Sequence, residues 1–178
     1  SFILIKKSLI GLTPLQLGAI RTLFAAIFLF TIGLKSIKSI KKEEWKWVAL
    51  SAFAGTFIPA FLFAFAETEI DSAITSVLNS TTPLMTLILG SIVFSITFNR
   101  SQLLGVVVGL IGSAILILAG ANANPNQNYW YALLVIIASV CYATNVNIIK
   151  RHMQNISPMA IANGNFLVLI LPALIVLS

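Results

Sequence analysis

Long apolar stretches separated by short polar breaks set the rhythm of this chain. The apolar runs lie near residues 1–10, 13–34, 47–66, 72–98, 102–120, 129–149 and 158–178. A helix needs about 20 mostly apolar residues to cross a bilayer, and all but the first run are about that long. The first keeps only Phe2 to Ile5 before Lys6-Lys7, and the last is still apolar at Ser178. The pattern therefore predicts an all-α polytopic membrane protein, present here as a fragment with about 6.5–7 helices of a larger set.

Composition agrees with that pattern. Hydrophobic residues make up 58% of the 178 positions and charged residues 9%, with a mean hydropathy of +1.00. An ordinary soluble domain carries roughly 25% charged residues, so a cytosolic enzyme and a disordered chain are both excluded. The net charge of +6 would suggest nucleic acid in a soluble protein, but here the bases mark topology. Lys35, Lys38, Lys41, Lys42, Lys46, Arg100, Lys150 and Arg151, eight of the eleven, fall in breaks on one side. The positive-inside rule makes that side cytoplasmic, placing loops 35–46, 99–101 and 150–157 there and leaving no role for nucleic acid. Trp45, Trp47, Trp130 and Tyr131 stand at helix ends, as an interfacial aromatic belt requires, and the lysines at 35–46 also suit anionic membrane lipid.

Laying residue n over residue n+144 aligns Ile5 with Ile149, Lys6-Lys7 with Lys150-Arg151, Thr13 with Ser157 and Pro14 with Pro158. The interval spans five helices, an odd number, so the two copies face opposite ways across the membrane. Inverted repeats are a hallmark of carriers that rock about a central site. The first repeat is assigned to residues 1–122 and the start of the second to 123–178; a period of 144 implies a whole protein of about 290 residues and ten helices.

Several motifs join this pattern: Ser72-Ala73 opening the fourth helix, Pro83 within it, Gln102-Leu103-Leu104-Gly105 with Gly109 and Gly112 in the fifth, Arg21 in the second, and Ser157-Pro158. Together they resemble the EamA-domain family of the drug/metabolite transporter superfamily. The resemblance implies two inverted repeats of five helices around a central cavity, and export of small organic solutes across the bacterial inner membrane. One departure stands out: where the family often carries Gly-Glu-Arg or Gly-Glu-Lys between the fourth and fifth helices, this chain has Ser95-Ile96-Thr97.

On a helical wheel at about 100° per residue, Ser72, Thr75, Ser76, Asn79, Thr82, Thr86 and Thr97 share one sector with Pro83 and Gly90. Unsatisfied polar groups are costly in hydrocarbon, so the stripe faces either a solute cavity or another helix. Ser76, Asn79, Thr82, Pro83 and Thr86 are its cavity candidates, with Pro83 expected to kink the helix and free the carbonyl of Asn79. Arg21, alone among the charges well inside a span, either meets solute or snorkels to a membrane face. Tyr142 and Asn145 in the sixth helix, like Asn147, Asn163 and Asn165, suit solute contact or interhelical bonding. Gly105, Gly109 and Gly112 read as helix-packing positions, within the monomer or in a homodimer. Phe53, Phe57, Phe61 and Phe65 share a face, Thr56 and Pro59 predict a bend, and His152 reads as a solvated loop residue.

One His, one Cys and carboxylates confined to helix ends and loops offer no catalytic or metal-binding constellation, so neither an enzyme nor a cofactor is expected. A small-molecule carrier for amino acids, related metabolites or drugs is the reading that follows, with a non-transporting membrane subunit or scaffold as the alternative. Proton coupling usually uses a titratable side chain inside a span; none stands near a span centre, which favours facilitated exchange.

Overall fold

The structure, a computed structural model, describes residues 2–94, 100–123 and 128–178. Thr97, the Ser95-Ile96-Thr97 stretch, Asn99 and residues 124–127 of the last outer break lie outside them. The described elements are helical: α1 (Phe2–Ser8), α2 (Pro14–Gly33), α3 (Trp45–Ala52), α4 (Ile58–Glu69), α5 (Ser72–Asn79), α6 (Thr82–Phe94), α7 (Arg100–Ala123), α8 (Ala132–His152) and α9 (Pro158–Leu177). Among the described residues five continuous stretches are long and apolar enough to cross a membrane: Pro14–Ser39, Lys42–Glu69, Ser72–Val93, Tyr129–His152 and Pro158–Leu177.

Local chemistry fixes the helix ends. Thr13 caps α2 by accepting from the Gln16 amide at 3.2 Å while Gln16 accepts from the Thr13 amide at 3.1 Å, a capping box. Pro14 follows in the first turn, where its missing N–H costs nothing. Ser157 caps α9 in the same way, accepting from Ala160 at 3.2 Å, and Pro158 follows. Both helices run 20 residues, and their ends are 144 positions apart. They pack antiparallel: Gly33, ending α2, lies against Met159 and Asn163 at the start of α9, close enough that a Cβ there would meet them at 2.5–2.8 Å.

The third span is continuous but not uniformly α-helical. Between α3 and α4 the backbone widens into a π turn, Phe53–Phe57, in which the Ile58 amide bonds the Phe53 carbonyl. Pro59 lacks the amide that would serve the Gly55 carbonyl in an α-helix, so the predicted bend takes this form. The Phe row survives the turn, with Phe53–Phe57 and Phe57–Phe61 ring centroids 5.5 and 4.8 Å apart.

The fourth span differs from expectation. Instead of one kinked helix it divides at Ser80-Thr81, and Pro83 stands in the first turn of α6. The Asn79 carbonyl, deprived of an amide by Pro83, accepts from the Thr82 hydroxyl at 2.7 Å.

Two apolar clusters close the ends of the bundle. At one end Ile40, Val48, Ile148, Met153, Ile156 and Ile161 pack together, with Trp45 and Trp47 against them, so the 35–46 lysines and Lys150-Arg151 share that end. His152 is no loop residue: it ends α8 and stacks on Trp47, centroids 3.6 Å apart and planes 4° from parallel. At the other end Phe63, Ala66, Ile70, Ile74, Leu78 and Val135 form a second cluster with Tyr129 and Tyr131 beside it. Outward faces remain apolar, as at Ile27, Phe28, Leu104, Val108 and Leu171, the surface a hydrocarbon solvent calls for.

Candidate functional site

Around Arg21 the helices border a half-open cavity of about 710 Å³, within the range of small-molecule sites. On α2 its wall runs through Leu17, Ile20, Arg21, Phe24 and Ala25, a single helical face at the i, i+3, i+4 spacing. Phe2, Ile5 and Ser8 of α1, Thr22 of α2, Thr56 of the π turn, Phe63 of α4, Asn79 of α5, Tyr142 of α8 and Phe166 of α9 also line it. Ring contacts hold part of this lining: Phe63 stacks with Tyr142 at 5.9 Å and meets Phe2 at 5.3 Å.

The cavity thus brings together Arg21, Asn79 and Tyr142, three side chains from three spans. Arg21 supplies a charge and a fork of donors, Asn79 an amide with both donor and acceptor, and Tyr142 a hydroxyl on an aromatic face. Beside apolar walls, that set suits a small polar solute carrying a carboxylate.

The other candidates go elsewhere. Ser76 is exposed, and so is Pro83. Thr82 is spent on Asn79, and the Thr86 hydroxyl bonds the Thr82 carbonyl at 2.9 Å. The backbone carbonyl of Thr86 accepts from the Asn147 amide at 3.0 Å, which fixes α6 to α8. Asn145 accepts from the Ser51 hydroxyl at 2.6 Å, and Asn165 reaches the same hydroxyl at 3.1 Å. Asn163 is buried, its amide nitrogen on the Met159 carbonyl at 2.9 Å. The hydroxyl stripe is therefore largely satisfied by its own backbone, as Ser and Thr in membrane helices often are. Among the described residues Gly109 alone of the three packing glycines has a close neighbour, Leu84 of α6; a Cβ at Gly105 or Gly112 would meet none of them within 4 Å.

Sequence reasoning did not reach Phe63, Thr22 or Phe166 as lining residues, nor the full burial of Glu67. The α2 lining had a signal, the apolar positions flanking Arg21 at helical spacing. Phe63 stood off the Phe row and so faced the other way, inward.

The family model described as EamA-like transporter family matches residues 1–118, a range that holds Arg21, Ser72-Ala73, Pro83 and the fifth-helix glycines. Solute carrier family 35 member F5 of Bos taurus is 30% identical over 101 residues, covering 55% of this chain and 19% of that protein. The chain therefore spans less than a fifth of that relative's length. No solved structure matches the chain. Five spanning helices and the family match together make this an integral, multi-pass membrane protein.

Proposed function

The chain belongs to the EamA-like transporter family, within the drug/metabolite transporter superfamily, and on that footing we propose that it forms part of a carrier moving small organic solutes through the Arg21 cavity. Convergence of Arg21, Asn79 and Tyr142 on one cavity is the observation that carries this reading. Amino acids and related metabolites fit best, because a carboxylate suits Arg21 and the Asn and Tyr groups can serve an amine or hydroxyl.

The mechanism in this reading is alternating access. Equal lengths, matching caps and antiparallel packing of α2 and α9 support an inverted repeat, with residues 1–122 as the first unit and 123–178 opening the second. The membrane we propose is the bacterial inner membrane, with the lysine-rich end in the cytoplasm and export as the direction. Facilitated exchange is the proposed mode.

Asn79→Leu tests the site. It keeps the branched shape and number of heavy atoms and removes the amide from the cavity wall. Solute flux in proteoliposomes of the full-length protein should be lost while membrane insertion stays normal; undiminished flux overturns the assignment.

A further inference from the structure

The Arg21 cavity stops short of the lysine-rich end. Its lining begins at Ser8 and Leu12, by the break between α1 and α2, and reaches inward to Ala25 and Gly55, near the middle of their spans. The lysine-rich end is shut by the apolar cluster that holds Val48, Ile148 and Ile161. Between wall and cluster lies a polar layer drawn from three helices. Ser51 stands between Val48 and Gly55 along the third span, Asn145 between Tyr142 and Ile148 on α8, and Asn165 between Ile161 and Phe166 on α9.

The layer is joined to itself and to the cavity. The Ser51 hydroxyl has no exposed surface; it donates to Asn145 at 2.6 Å and meets the Asn165 amide at 3.1 Å. Gly55 lines the cavity, and a Cβ there would run into the Asn145 amide, so the layer is the cavity floor. Helix packing accounts for such bonds but not for their place between a cavity and a seal. A closure that must part needs side chains stable against one another when shut and against water or solute when open. Neutral Ser and Asn groups meet both demands, because they exchange one hydrogen bond for another.

The repeat adds a second, independent relation. A period of 144 lays Arg21 over Asn165, on the two helices that start from matching caps and pack antiparallel. Arg21 is exposed in the wall, whereas Asn165 is buried in the floor. In a carrier built from inverted repeats, the two states exchange the surroundings of such counterparts.

We propose that Ser51, Asn145 and Asn165 form the inner gate of the solute pathway: they seal the cavity floor in this state and part in the opposite one, where their neutral groups contact the solute. This rests on the Arg21 cavity being the solute site, and it makes Asn165 the uncharged counterpart of Arg21 on the other side of the membrane.

The gate can be tested without knowing the solute. In the full-length protein with Cys141→Ser, an Ala25→Cys change places a thiol in the cavity wall. Sealed vesicles of either orientation then give its reaction rates with an impermeant sulfonate-bearing methanethiosulfonate, added from the lysine-rich face or from the opposite one. Ser51→Ala and Asn145→Leu should each raise the ratio of lysine-face to opposite-face rates at least about fivefold. Asn147→Leu removes a bond of similar depth, from Asn147 to the Thr86 carbonyl at 3.0 Å, outside the floor, and should keep the parent ratio. An unchanged ratio in Ser51→Ala or Asn145→Leu overturns the proposal, and so does an equal rise in Asn147→Leu. Should one of the two gate variants fail to insert, the other decides. Because labelling needs no flux, a protein that moves no solute counts against the carrier reading alone, and the rates still decide whether the floor is a gate.

Discussion

The Ser51 hydroxyl donates to the side-chain carbonyl of Asn145 at 2.6 Å, joining α3 to α8. Asn165 of α9 reaches the same oxygen at 3.1 Å, so three spans meet at one buried hydroxyl. Removing it leaves amide groups without partners in a low-dielectric interior. Ser51→Ala should cost about 1–3 kcal/mol, seen as a lower thermal midpoint of the detergent-solubilised protein. Pairing it with Asn145→Leu should cost less than the sum of the two single changes.

Gly55 lies directly under that junction. A Cβ there would run into the Asn145 amide, so Gly55→Ala should destabilise by about 1–3 kcal/mol through overpacking. Gly105→Ala and Gly112→Ala, with nothing within 4 Å of the new methyl, should be neutral or slightly stabilising, since alanine is the better helix former. Thermal midpoints of the three variants separate the cases.

Thr13 and Ser157 perform the same task at the starts of equal helices. Thr13→Ala and Ser157→Ala should therefore each cost about 1 kcal/mol. Hydrogen exchange at the first turns of α2 and α9 is the suitable readout. A large loss at one site and none at the other would break the equivalence of the two helices.

The lysine-rich end and the Trp130 end should be accessible from opposite sides of the membrane. Cysteines replacing Lys38 or Gln154 should react with an impermeant maleimide only from the cytoplasmic side. Cysteines replacing Ile10 or Trp130, exposed at 88% and 78%, should react only from the other side. Labelling of both pairs from one side would refute the topology.

How much of this was legible beforehand depends on how local the information is. The ends of α2 and α9 were readable because Ser/Thr-Pro caps act within one turn. Arg21 stood out because a charge among apolar neighbours is visible in one dimension. Ser76, Thr82 and Thr86 share a sector only on a wheel that assumes an unbroken helix; the division at Ser80-Thr81 resets the phase, the Thr82 and Thr86 hydroxyls find nearby carbonyls, and Ser76 is exposed. Glu67 reads as a helix-end residue, and its burial is imposed by α1 and α5 packing over it. His152 likewise became a stacked residue only because α3 delivers Trp47 to it, a contact no local pattern encodes.

The π turn at Phe53–Phe57 holds one residue more than an α-helical turn would. Each helical residue turns the chain by about 100°, so this surplus acts as an indexing position for everything that follows. Deleting a single residue there would let the span close into a regular α-helix, yet would swing α4 by roughly that angle relative to α3. Phe63 would then turn away from the cavity and Glu67 from the Ser72 hydroxyl it accepts from. The alignment of the wall with the buried carboxyl is in this sense a matter of counting, set by one extra amino acid ten residues upstream of Phe63 at the earliest and six at the latest.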